Sequence, residues 1–179
     1  MKYLSFLLLI AFLASCGSNV ESQDFPKYSD SDMESDFSKC PNGVIPAIFD
    51  TDTSQLITSQ DFVATKGSVT ETVTFASGVE LTLEQSGCKV LKQRYSFKFA
   101  KTPKEDNPNF WKALAIAQFD YMSKIEEGFG VLTGIIEGNA EAMQLGQPVQ
   151  GDDYSLTIDK FPVGEGTILV VSFDLIYPE

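Results

Sequence analysis

The feature that most constrains the fold is an alternation of apolar and polar residues between Val69 and Phe99. A two-residue period is typical of strands with one face on a core and the other in solvent. Ser77-Gly78 supplies a turn after the first run, and Gly87 ends the second. The sequence therefore predicts three antiparallel strands in a meander. The apolar positions are Val69, Val73, Phe75, Val79, Leu81, Leu83, Leu91, Tyr95, Phe97 and Phe99.

Two helical segments are predicted after the meander. Asn107 is a favoured N-cap and Pro108 a favoured first helical residue, so we expect a helix to begin here and to end near Glu127. Its apolar residues surround the helix axis nearly completely, which is typical of a mostly buried helix. A second segment starts at Phe129, where apolar residues continue at helical spacing.

Glycines recur every four residues in the second helical segment, at positions 130, 134 and 138. Each glycine costs a helix about 1 kcal/mol relative to alanine, so a regular row needs a compensating reason. We expect the smooth row to let another element approach closely. A transmembrane helix dimer is excluded because Glu126, Glu127, Glu137 and Glu141 lie in or beside the segment.

Two further strands are predicted near the C-terminus. Residues 154–159 alternate between apolar and polar side chains, and residues 167–177 form a hydrophobic stretch typical of a central strand. Residues 161–166 are expected to form the loop between them. In the region before the meander, residues 41–66, prolines and a glycine predict a loop with one short strand.

The predicted order of elements is βββ-αα-ββ. Strands and helices that are segregated along the chain are typical of the α+β class. We therefore expect a single antiparallel sheet of about five strands with the helical pair packed on one face. One globular α+β domain of this kind is expected over residues 40–179.

Composition excludes several classes of function. No histidine occurs in the 179 residues, which removes Ser-His-Asp and Cys-His nucleophile systems and imidazole bases. A formal net charge of −12 argues against a nucleic-acid partner, because phosphate neutralisation needs clustered Lys and Arg. No nucleophile elbow, P-loop or Ser-x-x-Lys motif occurs either. We expect no cofactor and no enzymatic activity, and the alternative is a histidine-independent enzyme that uses paired carboxylates.

The first 17 residues carry an export signal. Lys2 precedes an apolar run over residues 3–13, which is shorter than the roughly 20 residues of a spanning helix. The sequence Leu13-Ala14-Ser15-Cys16-Gly17 resembles the lipobox of bacterial lipoprotein precursors. This resemblance implies that residues 1–15 are cleaved as a signal peptide and that Cys16 is lipidated with acyl chains such as palmitate. It also implies a lipid anchor in the bacterial cell envelope, and the absence of Asp at position 17 favours the outer membrane.

A tether is predicted between the anchor and the domain. Residues 16–39 are rich in Ser, Asp and Glu, and as a flexible coil they would span roughly 25 Å. Once Cys16 is lipidated, Cys40 and Cys88 remain as an even pair in an exported protein. A disulfide between them is the expected arrangement, and the alternative is two buried free thiols.

Basic residues are concentrated in the third predicted strand and the loop after it. Lys92, Arg94 and Lys98 occupy polar positions of that strand. One interpretation is a docking patch for an acidic protein or an anionic glycan. The other is cross-strand pairing with Glu80 and Glu84 of the preceding strand, which is an ordinary way to stabilise a sheet. The sequence leaves both interpretations open.

Residues 50–61 partly match a twelve-residue calcium loop. Asp50, Asp52, Ser54 and Asp61 occupy the ligand positions one, three, five and twelve. Gln55 stands at the sixth position, where the turn needs glycine. An acidic surface loop is the expected structure, and a calcium-binding envelope protein is the alternative.

The function expected from these observations is a lipid-anchored binding or interaction domain of the cell envelope. Its partner would be a protein or a glycan, such as another envelope protein or an external enzyme that it inhibits. This expectation follows from the exclusion of other classes of function, since the sequence contains no motif that indicates a ligand.

Overall fold

A computed structural model describes residues 46–51, 54–65, 67–87 and 90–176 of the chain. The predicted signal peptide, the predicted tether and the cysteines Cys16, Cys40 and Cys88 lie outside these residues, as does Asp52. The lipidation of Cys16, the disulfide and the full calcium loop therefore stay predictions.

Seven strands and two helices follow one another in the described residues, all strands belonging to one antiparallel sheet. The α+β class with a single antiparallel sheet is confirmed, whereas the expected number of about five strands is wrong. The strands are β1 (Ile57–Ala64), β2 (Ser68–Phe75), β3 (Glu80–Ser86), β4 (Val90–Phe99), β5 (Val149–Gln150), β6 (Tyr154–Val163) and β7 (Gly166–Ile176), and the helices are α1 (Pro108–Ser123) and α2 (Gly128–Asn139).

The two strands missing from the predicted order lie at the edges of the sheet, whose order is β1-β2-β3-β4-β7-β6-β5. β1 is the short strand expected before the meander, although it is eight residues long. β5 has only two residues, too few to show any period. β7 pairs with both β4 and β6, as expected for the most hydrophobic strand.

The hairpin between β6 and β7 is tighter than the sequence predicts. Val163 pairs with Gly166, and Phe161 and Pro162 belong to β6, so the expected loop over residues 161–166 is wrong. Gly164 has φ +60°, a left-handed conformation that favours glycine, and this allows the chain to reverse within two residues.

Helix α1 begins as predicted. The Asn107 side chain accepts a hydrogen bond from the Phe110 backbone N–H at 2.9 Å, and Pro108 is the first helical residue. Trp111, Ala115, Phe119 and Met122 form a buried stripe, and the remaining large apolar residues pack half-buried against the core, so the helix is less completely buried than its apolar circumference predicts. Within the described residues, neither helix has the length and hydropathy that crossing a membrane requires.

The core lies between the helices and one face of the sheet, and aromatic rings form its centre. The Phe119 ring of α1 lies 4.9 Å from the ring of Tyr95 on β4 and 5.8 Å from that of Phe173 on β7. The Phe129 ring of α2 stacks on Phe49 at 5.4 Å and meets Tyr95 at 6.0 Å. Both helices therefore pack on the same face of the sheet, as predicted.

The glycine row of α2 does not serve a close approach within the described chain. A Cβ atom built at Gly134 or Gly138 would meet nothing within 4 Å, and both residues are exposed. The expectation that another element of the domain packs against this row is therefore wrong. The buried side of α2 carries Phe129, Leu132, Thr133 and Ile136 instead.

Candidate functional site

The sheet has two faces of different composition. We call the side on which α1 and α2 pack the covered face, and the other side the open face. Residues directly opposite each other in an antiparallel register lie on the same face, so the pairing assigns each residue. Two rows of the open face are Thr70-Glu84-Arg94-Ser172-Thr157 and Ser68-Ser86-Lys92-Asp174-Ser155. The open face is thus rich in hydroxyl and charged side chains.

All three residues of the predicted basic patch lie on the open face. We call Lys92, Arg94 and Lys98 the β4 cation row. The Lys98 ammonium donates a hydrogen bond to Glu80 Oε1 at 3.1 Å, and Arg94 Nε lies 3.9 Å from Glu84 Oε2. The predicted cross-strand pairing is therefore present for two of the three cations.

These two ion pairs are exposed. About half of each side chain is accessible to solvent, 54% for Arg94 and 51% for Glu84. Exposed pairs of this kind typically contribute between about 0 and 1 kcal/mol, because water screens the charges and both side chains lose freedom. A ligand can therefore displace Glu84 from Arg94, or Glu80 from Lys98, with little loss of stability.

Lys92 differs from its two neighbours in the row. Its register partners are Ser86 on β3 and Asp174 on β7. It forms no ion pair with any residue in the part of the chain that the structure describes, although Asp174 lies directly opposite. Lys92 is consequently an exposed cation beside Arg94 on the same face.

A shallow depression of about 350 Å³ surrounds Lys92 and Arg94. Four neighbouring strands of the open face contribute to it, which brings together residues that are far apart in the sequence. The short side chains around it are those of Ser68, Ser86 and Ser172, and the charged ones are Lys92, Arg94, Glu84 and Asp174.

A buried carboxylate on the covered face was not found by sequence reasoning. Glu71 of β2 is 1% exposed. Its oxygens accept hydrogen bonds from the backbone N–H groups of Ile48 and Phe49, each at 2.9 Å, and from the Gln60 amide. Burial raises the pKa of the Glu71 carboxyl above its usual range, although these donors act in the opposite direction. The signal in the sequence was a charged residue between Val69 and Val73, at an apolar position of the alternation.

A short chain of polar side chains continues near Glu71. The Tyr95 hydroxyl donates to Gln93 Oε1 at 3.1 Å, and the Gln93 amide donates to Gln85 Oε1 at 2.8 Å. Burial, with a smaller effect from the negative charge of Glu71, raises the pKa of Tyr95 far above its usual range. In the described residues no buried side-chain polar atom lacks a hydrogen-bond partner. We assign this cluster a structural role, which is to dock residues 48 and 49 on the core.

The calcium candidates are not brought together by the described residues. β1 holds residues 57–61 in an extended conformation, so Asp61 lies on a strand and not at the end of a compact loop. Asp50 and Asp61 are exposed, Ser54 is half-buried, and Asp52 lies outside the described residues. Across the described ranges, no group of three or more His, Cys, Asp or Glu is positioned to hold a metal ion.

Comparison with protein-family models, with curated proteins and with solved structures finds no match for this chain. Two features of the chain therefore bear on its function. One is the chemistry of the open face, and the other is the sequence of the first 17 residues.

Proposed function

We propose that this protein is a lipid-anchored domain of the bacterial outer membrane that binds a protein or glycan partner through the β4 cation row. The observation that carries the proposal is the position of Lys92, Arg94 and Lys98 on the face that the helices leave uncovered. The chain as a whole has a net charge of −12. A local cationic row on such a protein attracts acidic groups and orients them.

The anchor is supported by the lipobox-like sequence that ends in Cys16. Two or three acyl chains, each methylene contributing about 0.8 kcal/mol, hold a protein stably on a bilayer. Growth in labelled palmitate should label the wild type and not Cys16→Ala. Labelling of both proteins would contradict the assignment of Cys16 as the lipidated residue.

The distances that the chain can span permit the predicted disulfide between Cys40 and Cys88. The Ile48 N–H donates to Glu71, and Glu71 lies opposite Leu83 of β3. Gly87 follows Leu83 by four residues, which is about 13 Å of extended chain. The eight residues from Cys40 to Ile48 reach up to about 27 Å. A thiol count on the denatured, non-reduced protein should therefore find neither cysteine free, whereas two free thiols would remove the bridge.

The charge arrangement in the depression supports binding over catalysis. Glu84 and Asp174 lie on β3 and β7, on opposite sides of β4. Strand spacing places β3 and β7 about 10 Å apart, with Lys92 and Arg94 between them. Carboxyl pairs that cleave glycosides face each other across one bond, whereas two cations lie between Glu84 and Asp174. The two acids are thus better placed to flank a bound ligand.

Crosslinking in intact cells tests the binding surface. The double variant Arg94→Glu/Lys98→Glu reverses two charges of the row, and we expect it to lose the partners that crosslink to the wild type. The double variant Lys104→Glu/Lys124→Glu makes the same change in net charge at exposed residues outside the row, and it should keep them. Retention of every crosslink by the first variant would show that the β4 cation row is not the binding surface.

A further inference from the structure

Opposite charges face each other in the depression without pairing. Lys92 and Asp174 are register partners on β4 and β7. Side chains in such positions have Cβ atoms about 4.5–5.5 Å apart, which is close enough for a salt bridge. Neither residue forms an ion pair within the described parts of the chain. A cation and an anion are therefore both presented to solvent side by side.

Arg94 adds a second donor next to Lys92. The two residues are two positions apart on β4 and point to the same face, with Cα atoms about 7 Å apart. The shortest contact from Arg94 to Glu84 is 3.9 Å and involves Nε, which is too long for a hydrogen bond. The guanidinium group can consequently present its fork of N–H donors to a planar carboxylate.

Hydroxyl groups complete the lining of the depression. Ser172 is the register partner of Arg94, and Ser86 is that of Lys92. In the described residues neither hydroxyl has a side-chain hydrogen bond, whereas Ser68 Oγ lies 2.8 Å from Thr65 Oγ1. A volume of about 350 Å³ is at the lower end of the range for small-molecule sites. The depression thus suits one compact polar group.

The acids beside the cations determine which anions fit. Glu84 and Asp174 flank Lys92 and Arg94, and the net charge of the chain is −12. A polyanion would meet these carboxylates and be repelled. We infer that the depression binds a zwitterionic group, whose carboxylate contacts Lys92 and Arg94 and whose ammonium contacts Asp174. This inference rests on the proposed function and narrows its ligand to an end group of amino-acid type.

Three probes of similar size test the carboxylate and the ammonium of the ligand separately. 4-Aminobutyrate carries both, butyrate carries only the carboxylate, and butylammonium carries only the ammonium. Each is titrated into the ¹⁵N-labelled full-length protein in detergent at constant ionic strength, and amide shifts are followed at Lys92, Arg94 and Asp174. We expect 4-aminobutyrate to bind about fivefold more tightly than either single-charge probe, the strength of one exposed ion pair.

Two matched variants test whether Asp174 binds the ammonium group of the ligand. Asp174→Asn should abolish the preference for 4-aminobutyrate over butyrate, because it removes the partner of the ammonium group. Asp152→Asn removes the same charge at an exposed residue outside the depression and should change neither affinity. Equal affinities of the wild type for 4-aminobutyrate and butyrate would overturn the inference while leaving the β4 cation row as the proposed binding surface. Absence of saturable shifts with all three probes would show that the depression is not a ligand site. The proposed function would then still be tested separately by the crosslinking experiment.

Discussion

Neighbouring residues of β4 show how differently the two faces of the sheet are built. Tyr95 is fully buried on the covered face, where its ring contacts Phe119, Phe129 and Phe173. Arg94 lies on the open face, half exposed, and its Nε lies 3.9 Å from Glu84 Oε2. Burial of apolar area stabilises a fold strongly, whereas exposed charges contribute little. The covered face therefore holds the fold together, and the open face can change without unfolding it.

The same contrast extends along whole rows of the sheet. One row of the covered face is Leu83-Tyr95-Val171-Ile158, and every member is buried. The adjacent row of the open face is Glu84-Arg94-Ser172-Thr157, and none of its members is buried. Because the side-chain period of a strand is two, one register determines both rows. Substitutions on the two faces should consequently have separable effects.

The largest effect is expected for Phe119→Ala. This residue has no exposed surface and contacts aromatic rings of β4, β7 and α2, so its loss should lower the free energy of unfolding by about 3–5 kcal/mol. Thr72→Val on the open face should change it by less than about 0.5 kcal/mol. Denaturant titration measures both values. Similar losses for the two variants would break the contrast between the faces.

Glu71→Gln tests the buried carboxylate of the covered face. Near neutral pH the amide leaves one of the two backbone N–H groups without an acceptor, at a cost of about 1–3 kcal/mol in the free energy of unfolding. Burial raises the folded-state pKa of Glu71 above 4.5. The folded state therefore binds the Glu71 proton more tightly than the unfolded state does. The stability gained from this proton is fully present below about pH 4.5 and is lost as pH rises through the folded-state pKa.

The cost of Glu71→Gln should accordingly be larger near pH 4 than near pH 7. Denaturant titrations of the wild type and the variant at the two values give the difference directly. The reverse trend would mean that the hydrogen bonds from Ile48, Phe49 and Gln60 outweigh burial and hold the pKa below the ordinary value.

Helix α2 repeats the contrast on a smaller scale. Ile136 is buried, while Gly134 is exposed with open space around its Cα. Gly134→Ala should raise the free energy of unfolding by about 1 kcal/mol, because alanine has the higher helix propensity. Gly164 also has open space but φ +60°, so Gly164→Ala should lower it by about 1 kcal/mol. Thermal unfolding of both variants would show changes of opposite sign, and a loss at Gly134 would reveal a packing role for the glycine row.

The smallest effect is expected for Lys98→Ala. Its ion pair with Glu80 is exposed, so the free energy of unfolding should fall by less than about 1 kcal/mol, and the loss should shrink as salt is added. Denaturant titrations at low and high salt measure it. A loss of more than about 2 kcal/mol would make the β4 cation row a structural feature and would weaken the proposal that it binds a partner.

Local signals explain which elements the sequence could predict. The alternation over β2, β3 and β4 and the Asn107-Pro108 cap act within a few residues, and the structure contains the elements they predict. β1 could not be delimited because several of its residues on both sides are exposed or half-buried, which weakens the period. The role of Glu71 could not be predicted because its donors Ile48 and Phe49 are 22 or more residues away.

Only part of the candidate site could likewise be predicted from the sequence. The sequence placed Lys92, Arg94 and Lys98 on one face and named Glu80 and Glu84 as their neighbours, because hairpin partners are close along the chain. It did not show that Asp174 and Ser172 complete the depression. These residues reach β4 only because β7 pairs with it, although Asp174 is 82 residues from Lys92 along the chain.

The sequence by itself determined the class of the fold and the face on which each meander residue lies, whereas the export signal with its lipobox-like end stays a prediction. Each of these depends on residue spacing within one strand, one helix or one short segment. Only the tertiary structure decided the seven-strand order, the burial of Glu71, the exposed glycine row and the grouping of Lys92, Arg94 and Asp174. These depend on which distant strands and helices pack together, and that choice is made by the burial of apolar surface over the whole domain.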